Sequence, residues 1–376
     1  MTEAKAAAGS GVETQSAGKR LVLAASRLWV FVFLGLMIAF FAIAVPAVSE
    51  ANFFTVRNSQ NILVAIVPVL LLALGQTFVI ISAGIDLSVG WVMSLASVLS
   101  AHAIRWTFNS GVPLPLAVIA GFLAAVGGAA VVGLVNGTII AKLKVPAFIV
   151  TLGTSFVVRG VALLLSENTT VIGLPEGIRS YGNDALFYLI RGEGGGLYFL
   201  EPPADLTSAM LRQMDRILPW PVIIAAVVVG MCIFLLHKTQ FGRHTYAIGG
   251  NMQAALRTGI PVDRHIIRLY MLSSVTAGIA GFLSTLRFTS GSAVIGDPLL
   301  LASIAAVIIG GVSLFGGAGS VVGTIVGALI IAVLTTGLVM LAVPAFWQFI
   351  VVGIVVIVAV LIDQSRDLLT GRGKTG

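Results

Sequence analysis

Ala83-Gly84-Ile85-Asp86-Leu87-Ser88-Val89-Gly90 sets a carboxylate between two glycines, with strongly apolar sequence on both sides. A charged side chain in such surroundings costs ~2.5–3.5 kcal/mol on insertion scales. Asp86 must therefore cap something, pair with something or sit where water reaches. The runs that flank it, 61–82 and 87–106, each come close to the ~20 residues that one helical membrane crossing needs.

The same pattern repeats along the chain. Of 376 residues, 58% are hydrophobic and 10% charged, against about 25% charged in soluble domains. This is the composition of an integral membrane protein. The apolar runs are continuous rather than alternating, which favours helices over a barrel. Ten runs are found, at about 28–48, 61–82, 87–106, 114–140, 147–165, 219–237, 265–287, 298–315, 320–341 and 345–363. The expected fold is all-α: a polytopic helix bundle of about ten transmembrane helices over residues 28–364. Residues 1–27 are expected to be a disordered tail and 365–376 a second cytoplasmic tail. The first run follows a polar stretch and is long for a signal peptide, so it reads as a retained anchor.

Charge sets the expected orientation. With the N-terminus inside, fourteen of the 22 Lys and Arg residues fall on cytoplasmic segments and seven on outer ones, with Arg159 inside a span. Basic residues accumulate in cytoplasmic loops, so both termini are placed in the cytoplasm. The net charge of +7 is spread between apolar runs, which argues against nucleic acid as a partner. The single cysteine, Cys232, excludes an internal disulfide.

Two loops exceed simple connectors. Loop 166–218 should be extracytoplasmic; it is acidic, with Gly192 to Gly196 and Pro202-Pro203 breaking it up. Asp184 to Ile190 is expected to form a short amphipathic turn. Loop 238–264 should be cytoplasmic. Within it Met252 to Thr258 suits a helix, with Asn251 as its N-cap, Gly259 at its C-terminal cap and Pro261 just beyond. A short capped helix held between two spans suits docking.

Several apparent motifs fail. Gly373-Lys374-Thr375 has Leu368 where a phosphate loop needs glycine. Gly317 to Gly323 imitates a dinucleotide fingerprint but lacks a strand before it. Gly319, Gly323 and Gly327 read better as a small-residue stripe for close helix packing, as do Gly133 and Gly137. The four histidines show no metal-ligand spacing, and no nucleophile triad falls in one cleft. An enzyme is the least favoured class, and no cofactor is expected on this chain. Among polar residues inside spans, Gln76, Asn136 and Thr151 could line a translocation path or bond a neighbouring helix. Asp86 could cap the span beginning at Leu87, bonding the N–H of Ser88 or Val89, or stand at a path or gate.

Three blocks together resemble the ribose-type permeases of ATP-binding-cassette (ABC) importers. The first is Gly75-Gln76-Thr77-Phe78 running into Gly84 to Gly90. The second runs from Asn136-Gly137 through Val145-Pro146-Ala147-Phe148 and Thr151-Leu152-Gly153-Thr154 to Arg159-Gly160. The third comprises Gly242-Arg243, Ala247-Ile248-Gly249-Gly250-Asn251, Ala254-Ala255, Gly259-Ile260 and Ala305 to Gly317. The likeness covers about residues 60–363, although loop 166–218 is longer than is usual in that family.

The resemblance implies a bacterial inner-membrane permease subunit for a monosaccharide or related polyol. It also implies its partners: a cytoplasmic ABC ATPase that binds ATP and Mg, a periplasmic sugar-binding protein, a second permease copy, and the surrounding membrane lipid. The family's coupling helix would fall on Gly250, Asn251, Ala254, Ala255, Arg257 and Gly259. Importers of nucleosides, furanone signals or amino acids are nearer rivals than a self-sufficient secondary transporter, which would need more intramembrane ionisable residues.

Overall fold

A computed structural model describes residues 17–191, 195–203, 210 and 213–369. The chain is largely helical. Helices α1 (Ala17–Val48), α2 (Val56–Ile81), α3 (Val89–Asn109), α4 (Leu114–Lys142) and α5 (Ala147–Leu165) form the first half. A short α6 (Ile178–Asn183) leads into strands β1 (Ala185–Ile190), β2 (Gly196–Phe199) and β3 (Met214–Pro219). Then come α7 (Trp220–Lys238), α8 (Gln240–Gly250), α9 (Met252–Arg257), α10 (Val262–Phe288), α11 (Asp297–Ile309), α12 (Val321–Met340) and α13 (Ala345–Leu369).

Local chemistry explains many boundaries. Thr55 caps α2 by accepting from the Asn58 N–H at 3.0 Å, and Ser320 caps α12 by accepting from Gly323 N–H at 3.0 Å. Pro115, Pro221 and Pro298 sit in first turns, where a missing N–H costs nothing.

Among the described residues, seven helices are long and apolar enough to cross a membrane: α2, α4, α5, α7, α10, α12 and, within α1, Trp29–Val48. The other three predicted runs contain helices α3, α11 and α13, although run 298–315 leaves the helix after Ile309. Of these, α11 has only 13 residues, about 20 Å of helix. α3 is buried over most of Val89–Ala101, though Trp106 and Phe108 are exposed, and it carries Ser94, Ser97 and Ser100. A helix surrounded by protein need not be lipid-compatible, so its hydropathy falls below that of its neighbours.

The interior of the bundle is α2, α3, α10 and α12, with α10 lying along α4, α3 and α2. Glycines set the closest approaches. A Cβ on Gly133 would stand 2.5 Å from the Tyr270 carbonyl oxygen, and one on Gly137 would stand 2.6 Å from Ile267 Cα. The α4 stripe thus seats α10, and Gly323 and Gly327 seat α12 against the carbonyls of Gly310 and Ala306. Both small-residue stripes read from the sequence are packing surfaces.

Three expectations need correction. The fold is not all-α. Strands β2-β1-β3 form an antiparallel sheet, pairing Phe187 with Phe199 and Tyr188 with Arg216. The Ala185–Ile190 segment, read as a turn, is the central strand. Its aromatic and aliphatic residues suit a pleated surface, but its partners are non-local and leave no local signal. Helix α1 begins at Ala17, within the stretch 1–27 expected to be disordered. Ala, Leu, Lys and Arg are strong helix formers and extend the first span backward. Residues 1–16, and with them the rest of that tail, lie outside the described residues. Likewise α13 continues to Leu369, and 370–376, including Gly373-Lys374-Thr375, lie outside them, as do Gly192 to Gly194.

Candidate functional site

The opening octapeptide forms an irregular link between α2 and α3. Ala83 takes a left-handed φ of 62°, and the Gly84 N–H returns to the Val79 carbonyl at 2.9 Å. Non-helical backbone at membrane depth is tolerated only where protein or water satisfies it. Here protein does so. Gln76 Nε2 donates to the Asp86 carbonyl. The Ile85 carbonyl accepts from Thr151 Oγ1 at 3.3 Å and from Tyr270 OH at 3.4 Å.

The Asp86 side chain closes the knot. Its Oδ1 accepts from the Ser88 N–H at 3.0 Å and the Ser88 hydroxyl at 2.6 Å, and its Oδ2 accepts from Ser273 Oγ of α10 at 2.9 Å. Asn136 Nδ2 of α4 donates to Ser88 Oγ at 2.9 Å. The four residues singled out from the sequence, Gln76, Asp86, Asn136 and Thr151, therefore meet at one link, although they sit on α2, the link itself, α4 and α5. All four are 0% exposed. Asp86 bonds the Ser88 N–H, as a cap would, and also ties the link to α10. The Gln76 and Asn136 amide oxygens have no partner among the described residues.

Ser88, Ser273 and Tyr270 complete the knot and were not singled out. Ser88 lies within the quoted octapeptide. Ser273 belongs to a polar patch, Ser273, Ser274 and Thr276, in an otherwise apolar run.

A second irregular segment, 289–296, joins α10 to α11 and descends along α3. Ser94 Oγ accepts from the Gly296 N–H at 2.9 Å, and Ser97 Oγ accepts from the Ser292 N–H at 3.1 Å. Gly291 and Val171 exchange backbone bonds at 2.8 and 2.9 Å. The serines that lower the hydropathy of α3 supply what this non-helical chain lacks.

The proposed docking helix is α9. Asn251 Oδ1 accepts from the Ala254 N–H at 2.9 Å, and Gly259 closes the helix with φ 82°. Its two alanines differ. Ala255 is buried against Ile248 and Val262, while Ala254 is exposed. The free face carries Met252, Ala254, Leu256 and Arg257. Behind it, α8 is fastened to the bundle. Tyr246 OH donates to the Gly319 carbonyl at 2.7 Å, and burial pushes that phenol above its ordinary pKa, keeping the donor. Gly249 lies against the Ile81 carbonyl, which also accepts from the Gly317 N–H at 2.8 Å. The α8–α9 unit thus bears on the end of α2, five residues before Asp86.

Comparison with known proteins identifies this architecture. A family model described as "Branched-chain amino acid transport system / permease component" matches residues 58–360. The chain is similar to the xylose transport system permease protein XylH of Haemophilus influenzae, 36% identical over 89% of this chain and 94% of the relative. It is 38% identical to the ribose import permease protein RbsC of Bacillus subtilis, over 89% of this chain and 92% of that one. It is 34% identical to the fructose import permease protein FrcC of Rhizobium meliloti, over 86% and 82%. No solved structure gives a significant match. The chain, a multi-pass membrane protein, belongs to the family of transport-system permease components.

Proposed function

We propose that this chain is the membrane-spanning permease subunit of an ATP-driven ABC importer that moves a monosaccharide across the bacterial inner membrane. The ten apolar helices cross as ten spans with both termini in the cytoplasm, α3 and α11 being shielded inside the bundle. The sheet then lies on the outer face and α9 on the inner. Partners are a cytoplasmic ATPase, which carries ATP and Mg, a secreted sugar-binding protein and a second permease copy.

The observation that carries this reading is the α8–α9 unit. It has an exposed, capped helix on one side and a packed glycine against the end of α2 on the other. Movement of an ATPase bound to α9 would pass through Gly249 to Ile81 and Ala83, and so to the Asp86 link. That link ties α2, α3, α4, α5 and α10 together, so displacing it repositions five helices at once. The relatives' named cargoes, xylose, ribose and fructose, support a sugar.

The test is uptake in proteoliposomes holding permease, ATPase and binding protein from one gene neighbourhood. Labelled ribose, xylose and fructose should include a substrate whose uptake needs ATP. The family description also names branched-chain amino acids, so labelled leucine is the control. ATP-driven leucine uptake without sugar uptake would replace the sugar reading.

A further inference from the structure

At the sheet end of the bundle a cleft of about 320 Å³ gathers three arginines. Arg57 comes from the first turn of α2, Arg216 from β3 and Arg287 from the last turn of α10. Among the described residues no carboxylate lines the cleft. The ion pairs among the described residues, Lys142 with Asp263 and Arg191 with Asp215, involve none of the three. Arg216 spends one donor on the Asn183 carbonyl at 3.1 Å, which leaves most of its N–H groups free. Gln60 lines the same cleft, and its Nε2 has no partner among the described residues. Such a concentration of donors calls for an anion, and guanidinium forks match phosphate geometry.

A second groove of about 180 Å³ continues from this cleft and shares Val64 and Arg287 with it. It runs between α7 and α10 over α2, past Pro68, Pro221 and Leu283, and is predominantly apolar. From Arg57 to Pro68 is about 16 Å along α2 at 1.5 Å per residue. A cationic mouth opening into an apolar groove that follows α2 from Val64 to Pro68, about 6 Å, matches a headgroup followed by the first carbons of an acyl chain. A free phosphate or an acidic side chain of a partner protein would fill the mouth and leave the groove unused.

We propose that this cleft and groove bind one anionic phospholipid, its phosphate held by Arg57, Arg216 and Arg287 and an acyl chain lying between α7 and α10. The test is native mass spectrometry of the full chain purified in dodecyl maltoside and titrated with phosphatidylglycerol or phosphatidylcholine. Phosphatidylglycerol should be retained about tenfold better, as expected for charge-assisted bonds. The Arg57→Gln/Arg287→Gln pair should abolish that preference. Val64→Trp, which fills the groove, should weaken phosphatidylglycerol binding, and millimolar inorganic phosphate should not displace it. Equal retention of the two lipids, or an unchanged preference in the arginine pair, overturns the proposal. Displacement by inorganic phosphate would assign the mouth to a soluble anion. Loss of binding-protein-stimulated ATP hydrolysis with lipid retention intact would assign it to an acidic partner. Equal retention of the two lipids by the unmodified chain overturns the proposal even if the variants fail to fold.

Discussion

Replacing Asp86 separates a structural knot from a charge-dependent gate. The carboxyl accepts three hydrogen bonds, from the Ser88 N–H, the Ser88 hydroxyl and Ser273 Oγ, and is fully buried. In Asp86→Asn the amide oxygen can keep both Ser88 bonds. The new NH₂ faces Ser273, whose hydroxyl can turn to accept. All three contacts survive in neutral form, so the loss is the difference between charge-assisted and neutral bonds, roughly 1–2 kcal/mol in total. Asp86→Leu leaves the three donors without an acceptor. The two hydroxyls can rotate toward nearby backbone carbonyls, but the Ser88 N–H cannot, and one orphaned buried amide costs about 1–3 kcal/mol. The branched side chain must also fit where a planar carboxyl lay, adding ~1–3 kcal/mol of overpacking. The assay is thermal unfolding in detergent by size-exclusion chromatography, run beside uptake in proteoliposomes. Asp86→Asn should lower the midpoint slightly and keep most transport, while Asp86→Leu should lose folded protein. Abolished transport in Asp86→Asn, at normal expression and midpoint, would falsify the knot and require a charge at this position during the cycle.

Topology is tested in a Cys232→Ser background: a cysteine at Gly195 should react with an impermeant thiol reagent in spheroplasts and one at Gln253 should not, and the opposite labelling inverts the proposed orientation. Ala254→Glu should leave the permease folded but reduce ATPase co-purification several-fold. Ala255→Glu, at a position buried against Ile248 and Val262, should instead deplete folded protein; equal behaviour of the two variants would contradict the assigned face of α9. Gly259→Val forces a β-branched residue to a φ of 82° and should destabilise the α9 cap by about 1–2 kcal/mol, read as faster proteolysis of the 238–264 loop with the spans intact. Ser94→Ala orphans the buried Gly296 N–H at roughly 1–3 kcal/mol, and an unchanged unfolding midpoint would mean that another group satisfies that amide.

The parts of this molecule that could be read from the sequence are those in which a residue's chemistry is settled within its own turn of chain. Long apolar runs announce helices because a backbone in lipid must bond to itself. Asn251 and Gly259 announce α9 because caps act over three or four residues. The convergence of Gln76, Asp86, Asn136 and Thr151 was legible only as four separate anomalies. Each is a polar group in an apolar run, and what unites them is tertiary: the irregular link 82–88 exposes carbonyls and an amide that only other helices can reach. The sheet was invisible for a related reason, since Ala185–Ile190 becomes a strand only when Gly196–Phe199 and Met214–Pro219 come alongside. The serines of α3 point the same way. They lower its hydropathy below that of a lipid-facing span, yet their acceptors are what permit segment 289–296 to run non-helically inside the bundle. Two irregular segments, each held by hydroxyls and amides from neighbouring helices, lie on either side of the first turn of α3, where Gly90 packs on Gly296. The α8–α9 unit bears on the near end of this junction, where Gly249 packs on the Ile81 carbonyl.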